Sequence, residues 1–480
     1  NTVCTNAATH TIRGAGQLLA NTGGMENDGM ISADLSNTLS IFPNGKGVTN
    51  TGTLQATNGG TLLLQSGTFT NTNALIKALD ASTVRVNSAT VVNGTITTTG
   101  SGTFAAEAAT FANVTSNGMV TQANGLPAAV TQTLTNNGTW SINSTGANTD
   151  LQCVGGATLT GSGSIVMRNS ATNRLVTDNT VCQHTAGHTL HGLGQVLVNT
   201  GGMQNAGLIS ADDPAGSLTI FPNGLGFTNT ATLQATQGGT LVLQSGTFTN
   251  TGGLIQAFDP STASAIQINS ATVVGGTMST SGVGTIVVAG STFAGVTSTG
   301  TVMQPNGQPA TITGTLTNNG TWSMNSSGAN TDLNCVAGAT LTGSGSIQMA
   351  NNGNNRLITN NTVCTNAAPH TIRGAGQLLV NTGGLLNKGT ILADQTTGMT
   401  IDHNANGFTN QGTLHAMGSG GIAIAPDAFT TSGTVLVDGG SSLSRSGAYT
   451  QTAGTTTVNG TLSATGLVDI QGGILQGTGT

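Results

Sequence analysis

Five cysteines stand at Cys4, Cys153, Cys182, Cys335 and Cys364. A thiol can oxidise to a disulfide, ligate a soft metal or act as a nucleophile, and its companions decide which. The intervals from Cys153 to Cys182 and from Cys335 to Cys364 are both 29 residues. That repetition predicts two bridges, Cys153–Cys182 and Cys335–Cys364, the alternative being four thiols buried as small apolar groups. No CxxC pattern accompanies them to complete a metal-ligand set, so no metal is expected. Disulfides in turn point to an oxidising compartment outside the cytoplasm. Cys4 is left over. Its counterpart would lie about one interval before Asn1, so the chain is expected to continue upstream with another copy; the other option is a bridge between subunits of a polymer.

General acid–base chemistry needs convergent carboxylates. The 16 acidic residues are scattered, and the nearest approach to a cluster is Asp212-Asp213. Asp34, Asp212 and Asp394 recur in one phrase, I-[SL]-A-D, which suits a turn better than an active site. No catalytic residue and no cofactor is expected. His10, His188 and His370 share one repeated position, followed three residues later by Arg13, His191 and Arg373. Such a pair reads as a polar coil edge or as a contact for an anionic sugar. Trp140, Trp322 and Tyr449 could stack on sugars, or fill a core. Thr97-Thr98-Thr99 and Thr455-Thr456-Thr457 do not recur in neighbouring segments, which argues against a flat ice-binding threonine array.

The elements that must carry these residues are strands. Only 5% of the chain is charged, against about 25% in an ordinary soluble domain. With 36% hydrophobic residues and a net charge of -6, disorder is excluded. Glycine (73 residues), Thr, Ser and Asn set among Val, Ile and Leu suit pleated strands, and no helical periodicity is present. Ten basic residues cannot neutralise a row of phosphates, so nucleic acid is not an expected partner. No apolar run approaches the ~20 residues of a transmembrane helix. The chain starts at Asn1 with no visible leader, which suggests a removed signal or an internal start.

Internal repetition decides the architecture. Asn1-Thr2-Val3-Cys4 returns at residues 179–182 and 361–364, giving long repeats 1–178, 179–360 and a diverging 361–480, expected to form one continuous rod. Within them an apolar residue followed by a small polar one recurs at Val48, Phe69, Val91, Phe111, Leu134 and Leu159, every 20 to 25 residues. The second copy repeats this at Phe227, Phe248, Val273, Phe293, Leu316 and Leu341, and the tail at Phe408, Phe429 and Tyr449. A period of this length predicts an all-β fold, a parallel β-helix whose coils bury their apolar rows by stacking. Asn50, Asn71, Asn93, Asn113 and Asn136 follow the landmarks by one or two positions. They read either as a stacked amide ladder or as tolerant turn residues. Open strand edges and low charge favour head-to-tail or lateral self-association.

Residues 433–480, with the phrases L-T-G-S-G-S-I at 159–165 and G-A-G-Q-L at 14–18, resemble the repeat regions of large bacterial surface proteins. These are the autotransporter-passenger and filamentous-haemagglutinin-like β-helices and the repeat proteins exported with a sorting signal. The resemblance implies display on the bacterial cell surface and a part in adhesion, biofilm or sheath formation. It brings no shared catalytic residues. The expected function is an extracellular structural subunit of a fibre, filament or sheath. The alternatives are an adhesin binding surface glycans and, behind it, a polysaccharide-active enzyme.

Overall fold

The computed structural model of the protein describes residues 2–480. It divides into two units, Asn1–Gly246 and Thr247–Thr480, a division that falls inside the second sequence copy. Each is a parallel β-solenoid, and no helix occurs among the described residues.

In the first unit one coil is made by the strands Thr68–Thr70, Leu75–Ala78 and Thr83–Asn87. The next is made by Thr90–Val92, Thr95–Thr98 and Thr103–Glu107. Each strand pairs in parallel with its equivalent one coil on, in the registers Phe69↔Val91, Ile76↔Ile96 and Val84↔Phe104. The reason lies in alternation. In Thr61–Gln65, Leu62 and Leu64 point inward and are buried, while Thr61, Leu63 and Gln65 face outward. A period-2 pattern on a closed coil leaves one apolar row inside, and only the coils above and below can complete its burial. Aromatic rings fill the widest part: Phe111 meets Trp140 edge-on with centroids 5.2 Å apart.

Val48, Phe69, Val91 and Phe111 form one continuous column. That column continues through Val130 and Cys153, not through Leu134 and Leu159. Those two leucines stack over Val114 on the neighbouring face. The strands Ala109–Ala112 and Val114–Ser116 are separated by one residue, so similar apolar landmarks flank that corner on both sides.

The second unit repeats the plan, with Val273, Phe293, Ile312 and Cys335 in register. Phe293 packs on Trp322 at 5.3 Å. Towards its end Phe408, Phe429 and Tyr449 stack ring over ring at 5.2 and 5.6 Å.

One backbone feature recurs without a sequence signal. Leu19-Ala20-Asn21 takes three consecutive left-handed conformations (φ 70°, 41° and 63°). Leu197-Val198-Asn199 and Leu379-Val380-Asn381 do the same. A left-handed residue with a Cβ costs about 1–2 kcal/mol, and runs of them are rare. Here each turn is closed by a threonine, whose backbone N–H and hydroxyl both donate to the carbonyl of the first residue: Thr22 to Leu19, Thr200 to Leu197 and Thr382 to Leu379.

Candidate functional site

Cys153, the last residue of Thr149–Cys153, is bonded to Cys182 in Val181–His184, with Cα atoms 5.9 Å apart. Cys335 in Thr331–Thr342 is bonded to Cys364 in Val363–Asn366, with Cα atoms 5.8 Å apart. All four side chains point into the coil and are fully buried. Each bridge therefore ties a strand of one coil to the strand that opens beyond the same corner one coil on. Cys4 is exposed and free.

The interior also holds a column of amides. Asn6 Nδ2 donates to Asn27 Oδ1, Asn27 Nδ2 to Asn50 Oδ1, and Asn50 Nδ2 to Asn71 Oδ1, each at 2.6 Å. Asn27 and Asn50 also donate to the carbonyls of Gly29 and Gly52, two residues on, at 3.2 and 3.4 Å. Each side chain thus closes its own corner and binds the next coil. The column stops at Asn71, whose Nδ2 turns to the Ala74 carbonyl at 3.0 Å. A Cβ built on Gly94 would collide with both the carbonyl oxygen and the side-chain nitrogen of Asn71, so backbone fills the place of a further amide.

Of the five asparagines expected to stack, Asn50 and Asn71 do so and three do not. Asn93 and Asn113 are left-handed turn residues (φ 64° and 55°), and Asn93 Nδ2 binds Thr72 Oγ1 at the surface. Their corners are shorter than those after Asn27 and Asn50, which forces the turn conformation and swings the amide outward. Asn136 is buried but lies on the adjacent face, above Ser116, and donates to the Ser164 carbonyl at 2.9 Å.

Other members of such columns are Asn6 and Asn27, the pair Asn205–Asn229 at 2.7 Å, and the series Asn366–Asn387–Asn410 at 2.7 Å per step. Asn-x-Gly marks the column members at 27–29, 50–52, 205–207, 387–389 and 410–412, but Asn6, Asn71, Asn229 and Asn366 lack it and Asn136-Asn137-Gly138 has it without stacking, so the pattern alone does not pick out the column. Replacing Asn50 by Ala leaves Asn71 Oδ1 without its donor and one N–H of Asn27 without its nearest acceptor in the interior. The expected loss is about 2 kcal/mol in a denaturation titration. Asn113→Gly, which keeps the left-handed turn, is expected to stay within about 0.5 kcal/mol.

Each column begins at a histidine. His10 Nδ1 donates to Asn6 Oδ1 at 2.6 Å, and His370 Nδ1 donates to Asn366 Oδ1 at 2.7 Å. In the second copy His184 stands where the others have asparagine, and a longer chain results. Asn136 Nδ2 faces His188 Nε2 at 3.2 Å, His188 Nδ1 faces His184 Nε2 at 3.0 Å, and His184 Nδ1 faces Asn205 Oδ1 at 2.5 Å. The Ser164 carbonyl fixes the Asn136 nitrogen as a donor, so His188 accepts at Nε2 and carries its proton on Nδ1. The same logic puts the His184 proton on Nδ1. Both rings are neutral. Burial holds His188 down at about 3, with His184 adding to the effect, and holds His370 at about 4. Burial also lowers His184, against the opposing pull of Asn205. The sequence reading passed over His184, although it stands four residues before His188.

The basic residues that follow these histidines do not join them. Arg13 reaches Asp34 at 2.6 Å, His191 Nδ1 reaches Asp212 Oδ2 at 2.9 Å, and Arg373 pairs with Asp394. The recurring aspartates are therefore partners of a side chain one coil earlier, an arginine for Asp34 and Asp394 and a histidine for Asp212. Arg174 and Arg356 each grip a register neighbour, Asp150 and Asp332, through two hydrogen bonds of 2.6–2.7 Å. Arg85 clasps Glu107 at 3.0 and 2.8 Å; burial pushes that carboxyl up, but the bonds from Arg85 and Asn87 outweigh it and hold it below its usual range.

Trp140 Nε1 donates to the buried Gln122 at 3.1 Å, and Trp322 to Gln304 at 3.1 Å. With Tyr449 also buried, none of these three rings is offered to a sugar. Thr97 lies in register with Lys77, and Thr456 is buried, so neither threonine run lies on a flat outer array. Among the described residues no group of three or more His, Cys, Asp or Glu is placed to hold a metal ion. No helix is long and apolar enough to cross a membrane. Neither a protein-family model nor a curated protein matches this chain, and the functional reading rests on the solenoid, its staples and its internal polar columns.

Proposed function

We propose that the chain is a non-enzymatic structural element of an extracytoplasmic fibre, filament or sheath on a bacterial surface, each of its units a stiff stack of coils. The observation that carries this reading is the internal use of its polar chemistry. Amides, imidazoles and most charged side chains bind the next coil, and two buried disulfides lock coils together. A catalyst needs such groups free to meet a substrate; a load-bearing rod needs them spent on cohesion. The disulfides support an oxidising location, and the resemblance to surface repeat proteins supports display outside the cell. Continuous backbone ladders resist both shear and proteases, because no coil can open without breaking its bonds to two others.

Solution scattering and electron microscopy of the purified chain provide the test. Stiff units of coils about 4.8 Å apart are expected, with end-to-end or side-by-side association as concentration rises. No association at any concentration would remove the fibre.

A further inference from the structure

We propose that the junction of the first and second sequence copies carries a carbohydrate-binding notch between Arg168 and Asp213, specific for a single pyranose unit of a polysaccharide. This goes beyond the structural role, which needs no ligand. The notch is a surface pocket of about 220 Å³ lined by Arg168, Gly192, Asp212, Asp213, Pro214 and Gln237.

Three observations set it apart. First, among the described residues Arg168 is the one arginine whose side chain has no partner. Arg13, Arg85, Arg174, Arg356 and Arg373 hold carboxylates, and Arg445 holds backbone carbonyls. Second, Arg168 and Asp213 are not repeated. Arg168 corresponds to Ala350 one long repeat on, and Asp213 to Leu35 and Gln395 in the first and third copies. In a chain with 5% charged residues, a guanidinium and two carboxylates around one hollow is a local concentration. Third, the junction of the second and third copies closes the same place. There Asn351 Nδ2 donates to Thr396 Oγ1 at 2.8 Å, and its Oδ1 accepts from the Thr397 N–H at 3.0 Å. Pro214 stands at the position of Thr396 and has no hydroxyl to make that bond.

The lining selects the ligand class. Arg168 only donates, the carboxylates only accept, and Gln237 does both. His191 already holds one oxygen of Asp212, and the Ala215 N–H holds Oδ1 of Asp213 at 2.9 Å, which fixes both carboxylates in orientation. Donors and acceptors set around one small volume match vicinal hydroxyls, each of which donates to a carboxylate while accepting from a guanidinium. A sulfate carries no proton to donate to Asp212 and Asp213, whereas the hydroxyls of a sugar do. An apolar ligand would strand every polar group in the lining. The volume lies below the 300–1,000 Å³ typical of drug-sized sites, so one ring fits and a longer glycan must run out along the surface. A uronate adds a carboxylate that Arg168 can take in a two-point grip.

Ligand-observed saturation-transfer NMR on the intact chain, with glucose and with glucuronate as probes at about 10 mM, tests this. Transfer to at least one sugar is expected from the wild-type chain. At least a tenfold weaker affinity is expected in both Arg168→Ala and Asp213→Asn, with the thermal midpoint unchanged because Arg168 anchors nothing. Binding of glucuronate alone, lost in Arg168→Ala, assigns an acidic polysaccharide; binding of both sugars assigns a neutral one. No transfer to either sugar, or transfer that survives both substitutions, overturns the proposal. Gln237→Ala, a change to an outward side chain, serves as a third variant should either of the others unfold.

Discussion

Replacing Cys153 and Cys182 together by alanine is expected to lower the stability of the first unit by about 3.5 kcal/mol. The bridge closes a loop of 29 residues, and constraining a loop of that length in the unfolded chain is worth about that much on the chain-entropy account. The lost sulfur contacts add to the effect, since both side chains are fully buried. The Cys335–Cys364 pair, with the same separation of 29, is expected to act alike in the second unit. Each unit has one of the chain's two tryptophans, Trp140 or Trp322, both in the dry interior. Denaturation followed by fluorescence in single-tryptophan variants therefore reads each unit separately. A midpoint unmoved by the double substitution would mean that the stacked coils alone hold those corners, and would withdraw the staples from the mechanical account.

Acid is expected to weaken both units well before their carboxylates titrate. An imidazole ordinarily titrates near 6.5, but burial holds His188 at about 3 and His370 at about 4 in the folded chain. As the pH falls through 6.5, the unfolded chain takes up protons that the folded chain refuses. The stability these neutral rings contribute is complete above pH 6.5. It drains away as the pH falls towards their folded values, by about 1.4 kcal/mol per ring for each pH unit.

At pH 4.5 the expected loss is on the order of 3 kcal/mol for each of these rings. Carboxylates of the unfolded chain begin to take up protons only near pH 4.5, and Glu107, held below its usual range, stays charged when folded, so most of the loss between pH 6.5 and 4.5 belongs to the histidines. His184→Asn gives the second copy the residue that the other copies have at Asn6 and Asn366. It is expected to keep the column intact while making the first unit less sensitive to acid. Urea midpoints measured across that window check both statements, and a flat profile for the wild-type chain would contradict the burial of neutral rings.

How much of this was legible beforehand depended on whether a property followed from residue type or from corner length. Thr-Leu-Leu-Leu-Gln at 61–65 can hardly be anything but a strand with Leu62 and Leu64 inside, and the recurrence of such text implied stacking. The bridges were legible too, because a repeated interval between cysteines needs no knowledge of the turns. The amide column was half legible. Asparagine suits both a stacked interior and a left-handed turn, and a shorter corner at Asn93 than at Asn50 decides between them. The Arg–Asp pairs were hidden for a related reason. Partners 21 to 24 residues apart meet only once the length of the intervening coil is known, as with Asp150 and Arg174. His184 was overlooked although it stands four residues before His188, the spacing that also separates Asn6 from His10 and Asn366 from His370; that a histidine replaces the asparagine in the hydrogen bond to Asn205 does not follow from residue type. The left-handed run at residues 19–21 has no glycine to betray it.

The amide columns have a direction. From Asn6 to Asn71 every side chain turns its N–H towards the later coil and its oxygen towards the earlier one. The dipoles add head to tail, much as peptide dipoles do along a helix, and each bond polarises the next. The oxygen-bearing pole meets the ring N–H of His10, and the N–H pole ends on the carbonyl of Ala74. The column is thus vectorial: growth at its N–H pole requires an incoming corner that presents an oxygen, and a corner such as Gly94, which presents only backbone, ends it.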